Sequence, residues 1–531
     1  MKNLKKNLFK FFLLIYLLIG SYNSINTGIS FDEKHEEFNW NFNIKLVKDL
    51  TNVFVLGDSF DREEFDQEVK LYVGYGIGSQ FVSQPIQFFL KDFLLSDKNL
   101  DLYGAKLLAK HFVIFLFFFV SGIFFYLILK KLIDNEIFCI TGSIFYLTYP
   151  YLFGQAMFSP KDIPFLSIWL VCTYVSFKII EKLINKKIIR NKDIFIFSLV
   201  TAFLISIRIA GFLIFLQYFI LLLLFLNTYK EKFIFFLKSY YKKIFFFFFN
   251  LLILIFILNP IFLVDPFLFF ESINVSANHF NNVGTNTLGE TMYSTDLPST
   301  YLPIWLSVKI PLIIILGLII LPFTEKKIFN RKKISIYFGT ILITVILIPL
   351  ILIIKKVHLY DELRQVMFLI PLIVILGLVS LYTISKLLFF TLSILTISFF
   401  ILENIKINPY QYVWFNLPSR YLDLTNKFEL EYQGISGKEI AHYLTNMENQ
   451  NDCILANPIH GVKPFLNNTN FTCFDIWQKV DTDFPRPFLA VQNVRNLKKS
   501  LPYNCKSIYE TGFKLLFHKE KFVTGKLLLC D

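Results

Sequence analysis

The chain has 531 residues, of which 55% are hydrophobic and 18% charged, with a mean hydropathy of +0.54. That much apolar surface excludes a soluble globular fold and requires a membrane. A formal net charge of +13 would suit a nucleic-acid binder, but the lysines are scattered over short loops instead of forming one basic domain, so nucleic acid is excluded as a partner. Only eight of the 53 basic residues are Arg, and in a Phe-, Ile-, Lys- and Asn-rich chain of AT-rich coding bias each Arg carries more information than a Lys.

The first apolar segment, 8–26, follows Lys2, Lys5, Lys6 and Lys10. It resembles a secretory signal, but no small-residue cleavage site follows, and a retained signal anchor is expected. A hydrocarbon core about 30 Å thick takes around 20 apolar residues per helix. Windows of that kind fall near 8–26, 111–129, 137–156, 163–180, 194–208, 210–227, 244–264, 304–322, 334–354, 366–384 and 387–402. The expected fold is an all-α polytopic membrane protein of about 11 transmembrane helices over 1–402, carrying a small external α+β domain over 403–531.

Short loops rich in Lys and Arg mark the cytoplasmic side. Four such loops, at 130–131, 182–192, 230–243 and 326–333, put the N-terminus inside and the C-terminus outside, together with 27–110, 265–303 and 403–531. In the first external loop, "QPIQFFLKDFLLSD" and "LYGAKLLAKH" are amphipathic, which predicts helices lying in the membrane interface. Cys453, Cys473, Cys505 and Cys530 all fall in the external tail. They can form two disulfides by any of three pairings, or stay reduced.

Chemistry concentrates on the external face. Asp32, Glu33, Glu36 and Glu37 stand at the exit of the first segment, and "FSPKDIPF" sets Lys161 and Asp162 in a turn stiffened by Pro160 and Pro164. Arg208 lies between two apolar windows, where a charge needs a partner or a polar cavity. "KKVHLYDELRQVMFLIP" gathers Tyr360, Asp361, Arg364 and Gln365, and Lys309 sits where the eighth window enters. A carboxylate within reach of a hydroxyl can act as general base. Lys and Arg can stabilise a departing phosphate.

These segments, "FDEKH", "YLTYPYLFGQAMFSPKDIPF", "SIRIAGF", "STYLPIWLSVKIPL" and "LYDELRQVMFLIP", span most of residues 1–385. In order and position the chain resembles the C-type (GT-C) membrane glycosyltransferases that use polyprenyl-phosphate sugars, the superfamily of protein mannosyltransferases and aminoarabinose transferases. The resemblance implies a donor lipid in the outer leaflet; the AT-rich composition points to a bacterial inner membrane, and the acceptor can be a lipid, a glycan or a protein. It implies Asp32 as base with Glu33 as its neighbour, Lys161 and Arg364 as phosphate contacts with Arg208 and Lys309 as further candidates, and Asp162 and Tyr360 as auxiliary groups. Where relatives carry a His after the late Arg, this chain has Gln365.

The expected reaction is a single inverting displacement, with phosphate as leaving group in place of the protonated oxygen of an inverting glycosidase. No cofactor is required by the residues seen, although a divalent cation could assist. The rival class is a lipid flippase or transporter without transferase activity. Against proton-coupled transport, the membrane windows hold no Asp or Glu away from their ends.

Overall fold

The structure is a computed structural model that describes residues 2–230, 233–277, 282–447, 453–469, 471, 473–476, 487–493 and 504–530. Helix α1 (Lys2–Asn26) turns into α2 (Glu33–Leu56), followed by α3 (Arg62–Glu68), α4 (Gln80–Leu94) and the 31-residue α5 (Leu102–Leu132). Then come α6 (Glu136–Thr148), α7 (Pro150–Gln155), α8 (Asp162–Ile184), α9 (Asn191–Ile207), α10 (Ile214–Tyr229), α11 (Phe233–Leu258), α12 (Ile261–Val264) and α13 (Leu268–Ala277). A hairpin of β1 (Gly284–Thr287) and β2 (Glu290–Tyr293) precedes α14 (Tyr301–Lys309), α15 (Leu312–Phe329), α16 (Lys332–Ile354), α17 (Ile370–Ile384) and α18 (Lys386–Lys406).

Eight described helices are long and apolar enough to cross a membrane, or nine if the bent pair α14–α15 counts as one span. The protein is an integral membrane protein, and the expected eleven spans are corrected at three windows. Window 137–156 breaks because Pro150 cannot continue a helix that ends at Thr148, leaving 13 residues in α6. Window 194–208 becomes α9, whose 17 residues reach only about 26 Å. Window 304–322 bends by 115° between α14 and α15, where Pro311 stands at the N-cap of α15.

The bundle packs closely where side chains are absent. A Cβ on Gly317 of α15 would lie 2.3 Å from the Gly377 carbonyl oxygen of α17, so only glycine permits this approach of two helices. The stretch "LYGAKLLAKH" corrects a second expectation. It forms the first turns of α5, capped by Asp101, whose side chain accepts from the Gly104 backbone N–H at 2.6 Å.

The apolar face of that stretch does not lie in lipid. Ala105, Leu107 and Leu108 join one core with Ile440, Leu444, Ile454, Leu489 and Leu527 of the C-terminal tail. An amphipathic face asks only for an apolar cover, and here protein supplies it. The other stretch, α4, keeps Phe88, Phe89 and Phe93 exposed.

The expected boundary at 402 falls inside α18, which runs on to Lys406. Residues after it pack onto the membrane helices: the Asn416 side chain donates to the carbonyls of Ser307 (2.6 Å) and Ile310 (2.9 Å). After α19 (Leu424–Lys427) and α20 (Gly437–Thr445) comes a five-stranded sheet of β3 (Cys453–Asn457), β4 (Cys473–Ile476), β5 (Phe488–Asn493), β6 (Cys505–Phe513) and β7 (Phe522–Cys530). Its order is β4-β3-β5-β7-β6. The first three strands are parallel and the last two pairings antiparallel. A disulfide joins Cys505 to Cys530, Cys453 is also disulfide-bonded, and the Cys473 side chain lies outside the described residues.

Candidate active site

Helix α2 sorts its acids by helical spacing, since residues four apart share a face. Glu33 and Glu37 turn toward α5. Glu33 is fully buried, its Oε1 accepting from the Ser30 backbone N–H at 2.7 Å and its Oε2 lying 2.9 Å from His111 Nε2. Glu37 accepts from Gln84 at 3.3 Å and lies 3.9 Å from the buried Lys110 ammonium. Asp32, at the N-cap, and Glu36 turn the other way, toward cations from two distant segments, Arg364 and Lys161.

Arg364 is the centre of that cluster. Its Nη1 donates to Asp361 at 2.9 Å, its Nε to Asp162 at 3.1 Å, and its Nη2 to Asp32. The guanidinium fork is thus matched to three carboxylates from three parts of the chain. Asp162, at the first position of α8, is shared: its Oδ1 lies 2.5 Å from Arg208 Nη2, and Ser159 donates at 3.0 Å to Oδ2, the oxygen that also accepts from Arg364. Lys161 pairs with Glu36 at 2.7 Å and sits over the Tyr75 ring, 4.2 Å from its centroid.

Local backbone features place these groups. Asp361 and Glu362 both adopt the left-handed region, with φ of 53° and 66°, a conformation that costs non-glycine residues energy and collects at functional sites. The Asp361 N–H donates to Thr285 Oγ1 at 3.0 Å, tying this turn to β1. Arg208 stands in an extended break between α9 and the 3-10 turn Ile209–Leu213. Against that break lies the loop bearing Tyr75: the Gly78 N–H donates to the Ser206 carbonyl at 2.8 Å, and a Cβ on Gly76 would meet the same oxygen at 2.1 Å.

Exposure separates the carboxylates. The side chains of Asp162 and Asp361 are 1% and 5% exposed, whereas Asp32 is 36% exposed. Burial pushes the Lys161 ammonium below its usual range, with Glu36 opposing the shift. Burial likewise raises the Tyr360 phenol, although Arg364 pulls it back.

Of the residues singled out in the sequence, Asp32, Lys161, Asp162, Arg208 and Arg364 are brought together, and Tyr360 lies within their field. Glu33 is not brought to Arg364. Lys309 also lies apart, fully buried with Glu362 at 2.9 Å and with the Phe415 ring centroid 4.1 Å away. Gln365 accepts from the Tyr360 N–H at 3.4 Å, so it holds the turn. Sequence reasoning missed Tyr75; the glycines at 74, 76 and 78 were the signal that this backbone approaches something closely. Among the described residues, no group of three or more His, Cys, Asp and Glu is placed to hold a metal ion.

No protein-family model and no curated protein matches the chain. Among solved structures it is similar to ArnT from Cupriavidus metallidurans bound to undecaprenyl phosphate, at 10% identity over 98% of this chain and 97% of that one, with a TM-score of 0.48. It is also similar to ArnT from the same organism in the apo state, at 9% identity over 84% of this chain and 87% of that one, with a TM-score of 0.43. Similarity at this level assigns no activity to the chain.

Proposed function

We propose that the protein is a glycosyltransferase of a bacterial inner membrane, moving a sugar from a polyprenyl-phosphate donor to a cell-envelope lipid, glycan or protein on the external face. The observation that carries this reading is the arrangement around Arg364: two buried carboxylates fix the guanidinium, and its third partner, Asp32, is the open one. An arriving phosphate can displace Asp32 without disturbing Asp162 or Asp361. The displaced carboxylate can then take a proton.

In the reaction, the acceptor oxygen or nitrogen forms a bond to the anomeric carbon while the bond from that carbon to the phosphate oxygen breaks. The acceptor proton passes to Asp32. The electron pair of the broken bond stays on polyprenyl phosphate, whose charge grows from −1 to −2. Arg364, Arg208 and Lys161 supply fixed positive charge for that growth. Glu33 supports α2 through His111, and Lys309 with Glu362 supports the turn before Arg364; neither touches substrate in this reading.

The proposed orientation draws support from the opposite end of the bundle, where Lys131 and Lys333 both pair with Glu181, and Lys182 with Asp193 at 2.6 Å. Lysine-rich loops favour the cytoplasm, which leaves the Arg364 cluster outside. Because side chains supply the cations, transfer should persist in EDTA.

Binding of undecaprenyl phosphate, followed by native mass spectrometry of purified protein, tests the phosphate site. Wild type should retain the lipid phosphate, and Arg364→Lys should weaken it at least tenfold. Equal retention by both would remove Arg364 from the donor site.

A further inference from the structure

Besides the Arg364 side and the His111 side, α2 has a third face, and the C-terminal sheet meets it. Lys34, His35 and Phe38 share that helical stripe, and Phe31, in the turn before α2, extends it. Opposite them stand Asn457, Pro458, Ile459 and His460, and between the two walls lies a cleft of about 380 Å³. The sheet is anchored here: His460 Nε2 donates to the carbonyls of Ser30 (3.2 Å) and Phe31 (3.1 Å), and the Phe31 N–H donates to the Gln433 carbonyl at 2.8 Å. Asp32 is the next residue along.

The position of the cleft in the sheet has a meaning of its own. In the parallel part, order β4-β3-β5, the chain leaves β3 to one side for β4 and then crosses to the other side for β5. The carboxyl end of β3, Asn457, is therefore a topological switch point, the place where open parallel sheets leave a crevice for ligands. That crevice opens on the helix bearing Asp32.

The lining states the chemistry. Phe31 and Phe38 are 49% and 46% exposed, large ring faces left open on either side of polar groups. Between them are the Lys34 ammonium, 5.5 Å from the Phe38 ring centroid, and the His35 ring; across from them are the Asn457 amide and His460. Burial holds His460 below its usual 6.5, so it is neutral at pH 7. Aromatic faces flanking a few hydrogen-bonding groups and one cation suit a ligand with apolar C–H faces, many hydroxyls and an acidic substituent.

We infer that this cleft is the acceptor site and that the acceptor is a saccharide bearing a phosphate or carboxylate group, stacked on Phe31 and Phe38 and held by Lys34 and Asn457. The inference rests on the transferase reading for the word acceptor, but the saccharide site stands on the cleft itself. Tyr75 connects the two regions: its ring centroid lies 4.4 Å from that of His35 and 4.2 Å from the Lys161 ammonium. Two rings in contact, His35 and Tyr75, thus join the wall of the cleft to the cation cluster where the donor phosphate is proposed to sit.

The test uses full-length protein in nanodiscs, probed with an array of lipid-free oligosaccharides, neutral and phosphate- or uronate-bearing, and separately with undecaprenyl phosphate. Wild type should bind acidic oligosaccharides in preference to neutral ones. Phe38→Ala and Lys34→Gln, each at an accessible side chain, should weaken that binding at least tenfold while undecaprenyl phosphate binding and thermal stability stay at wild-type values. Lys34→Gln should also erase the preference for acidic members. No saccharide binding by wild type, or unchanged binding by both variants, overturns the cleft assignment. Loss of undecaprenyl phosphate binding in wild type would overturn the transferase reading instead, and the saccharide arm would still decide the cleft.

Discussion

The two ends of α8 carry contrasting ion clusters. Asp162 and Glu181 lie 19 positions apart, which is about 28 Å along the helix and close to the thickness of a hydrocarbon core. At one end Glu181 meets Lys131 and Lys333, whose side chains are 17% and 39% exposed. At the other end Asp162 shares in a cluster built on Arg364, which is 8% exposed and meets three carboxylates. Lysines at a wet boundary are flexible point charges, and their pairs contribute little to stability. A buried guanidinium is costly to desolvate and is kept only where its partners are fixed. The comparison separates charge that orients a protein in the bilayer from charge that is available to chemistry.

The largest effect expected is at Arg364. Lysine there keeps the charge but loses the fork, and sugar transfer should fall about 10³-fold, read as initial rates in proteoliposomes. A loss of less than tenfold would mean that bulk positive charge suffices and that the two ends differ only in burial.

Arg420 asks whether burial alone is the distinguishing feature. It forms a two-pronged pair with Glu403, at 2.8 and 3.0 Å, and also donates to the Phe415 and Leu516 carbonyls. Arg420→Ala leaves Glu403 buried without its cation, and a loss of 3–5 kcal/mol is expected, measured by thermal unfolding. Undecaprenyl phosphate binding by the folded fraction should be unchanged. If Arg420→Ala weakens that binding as much as Arg364→Lys does, burial and not position distinguishes the clusters.

A buried acid without a cation sharpens the point further. Burial pushes the Glu431 carboxyl from its ordinary 4.5 up to about 7, although Tyr412 donates to it at 2.6 Å and the Ile435 N–H at 3.0 Å. Between those values the folded protein binds the proton and the unfolded chain does not, so stability falls as pH rises from about 4.5 to 7 and is level above. Roughly 3 kcal/mol is at stake. Glu431→Gln should flatten that slope in unfolding curves recorded across the window, and an unchanged slope would assign it elsewhere.

The smallest effect is expected at the wet end. Glu181→Gln should alter stability by at most about 1 kcal/mol and leave the transfer rate at the wild-type value. A large loss of transfer would dissolve the contrast between the two ends of α8.

Much of this was legible in the sequence because charge is expensive in an apolar chain. Arg208 between two apolar windows and the Lys-Asp turn at 161–162 announced themselves, and both now join one cluster. What could not be read was which side of α2 each acid faces: Asp32 and Glu33 are neighbours in sequence, yet one meets Arg364 and the other His111. Span counting failed where Pro150 and Pro311 interrupt apolar runs, since hydropathy averages over a break that the backbone must obey. The start of α5 misled for a different reason. Its apolar stripe is buried by the tail sheet, a partner more than 300 residues away in the chain.

The central claim is best tested by sugar transfer from radiolabelled polyprenyl-phosphate sugars to a cell-envelope extract, comparing reconstituted wild type with Asp32→Asn. The account predicts a labelled acceptor with wild type and a 10²- to 10⁴-fold slower reaction with the variant, while undecaprenyl phosphate binding persists. Equal rates would contradict Asp32 as the base, and absence of transfer from every donor, with lipid movement between leaflets in its place, would contradict the transferase itself.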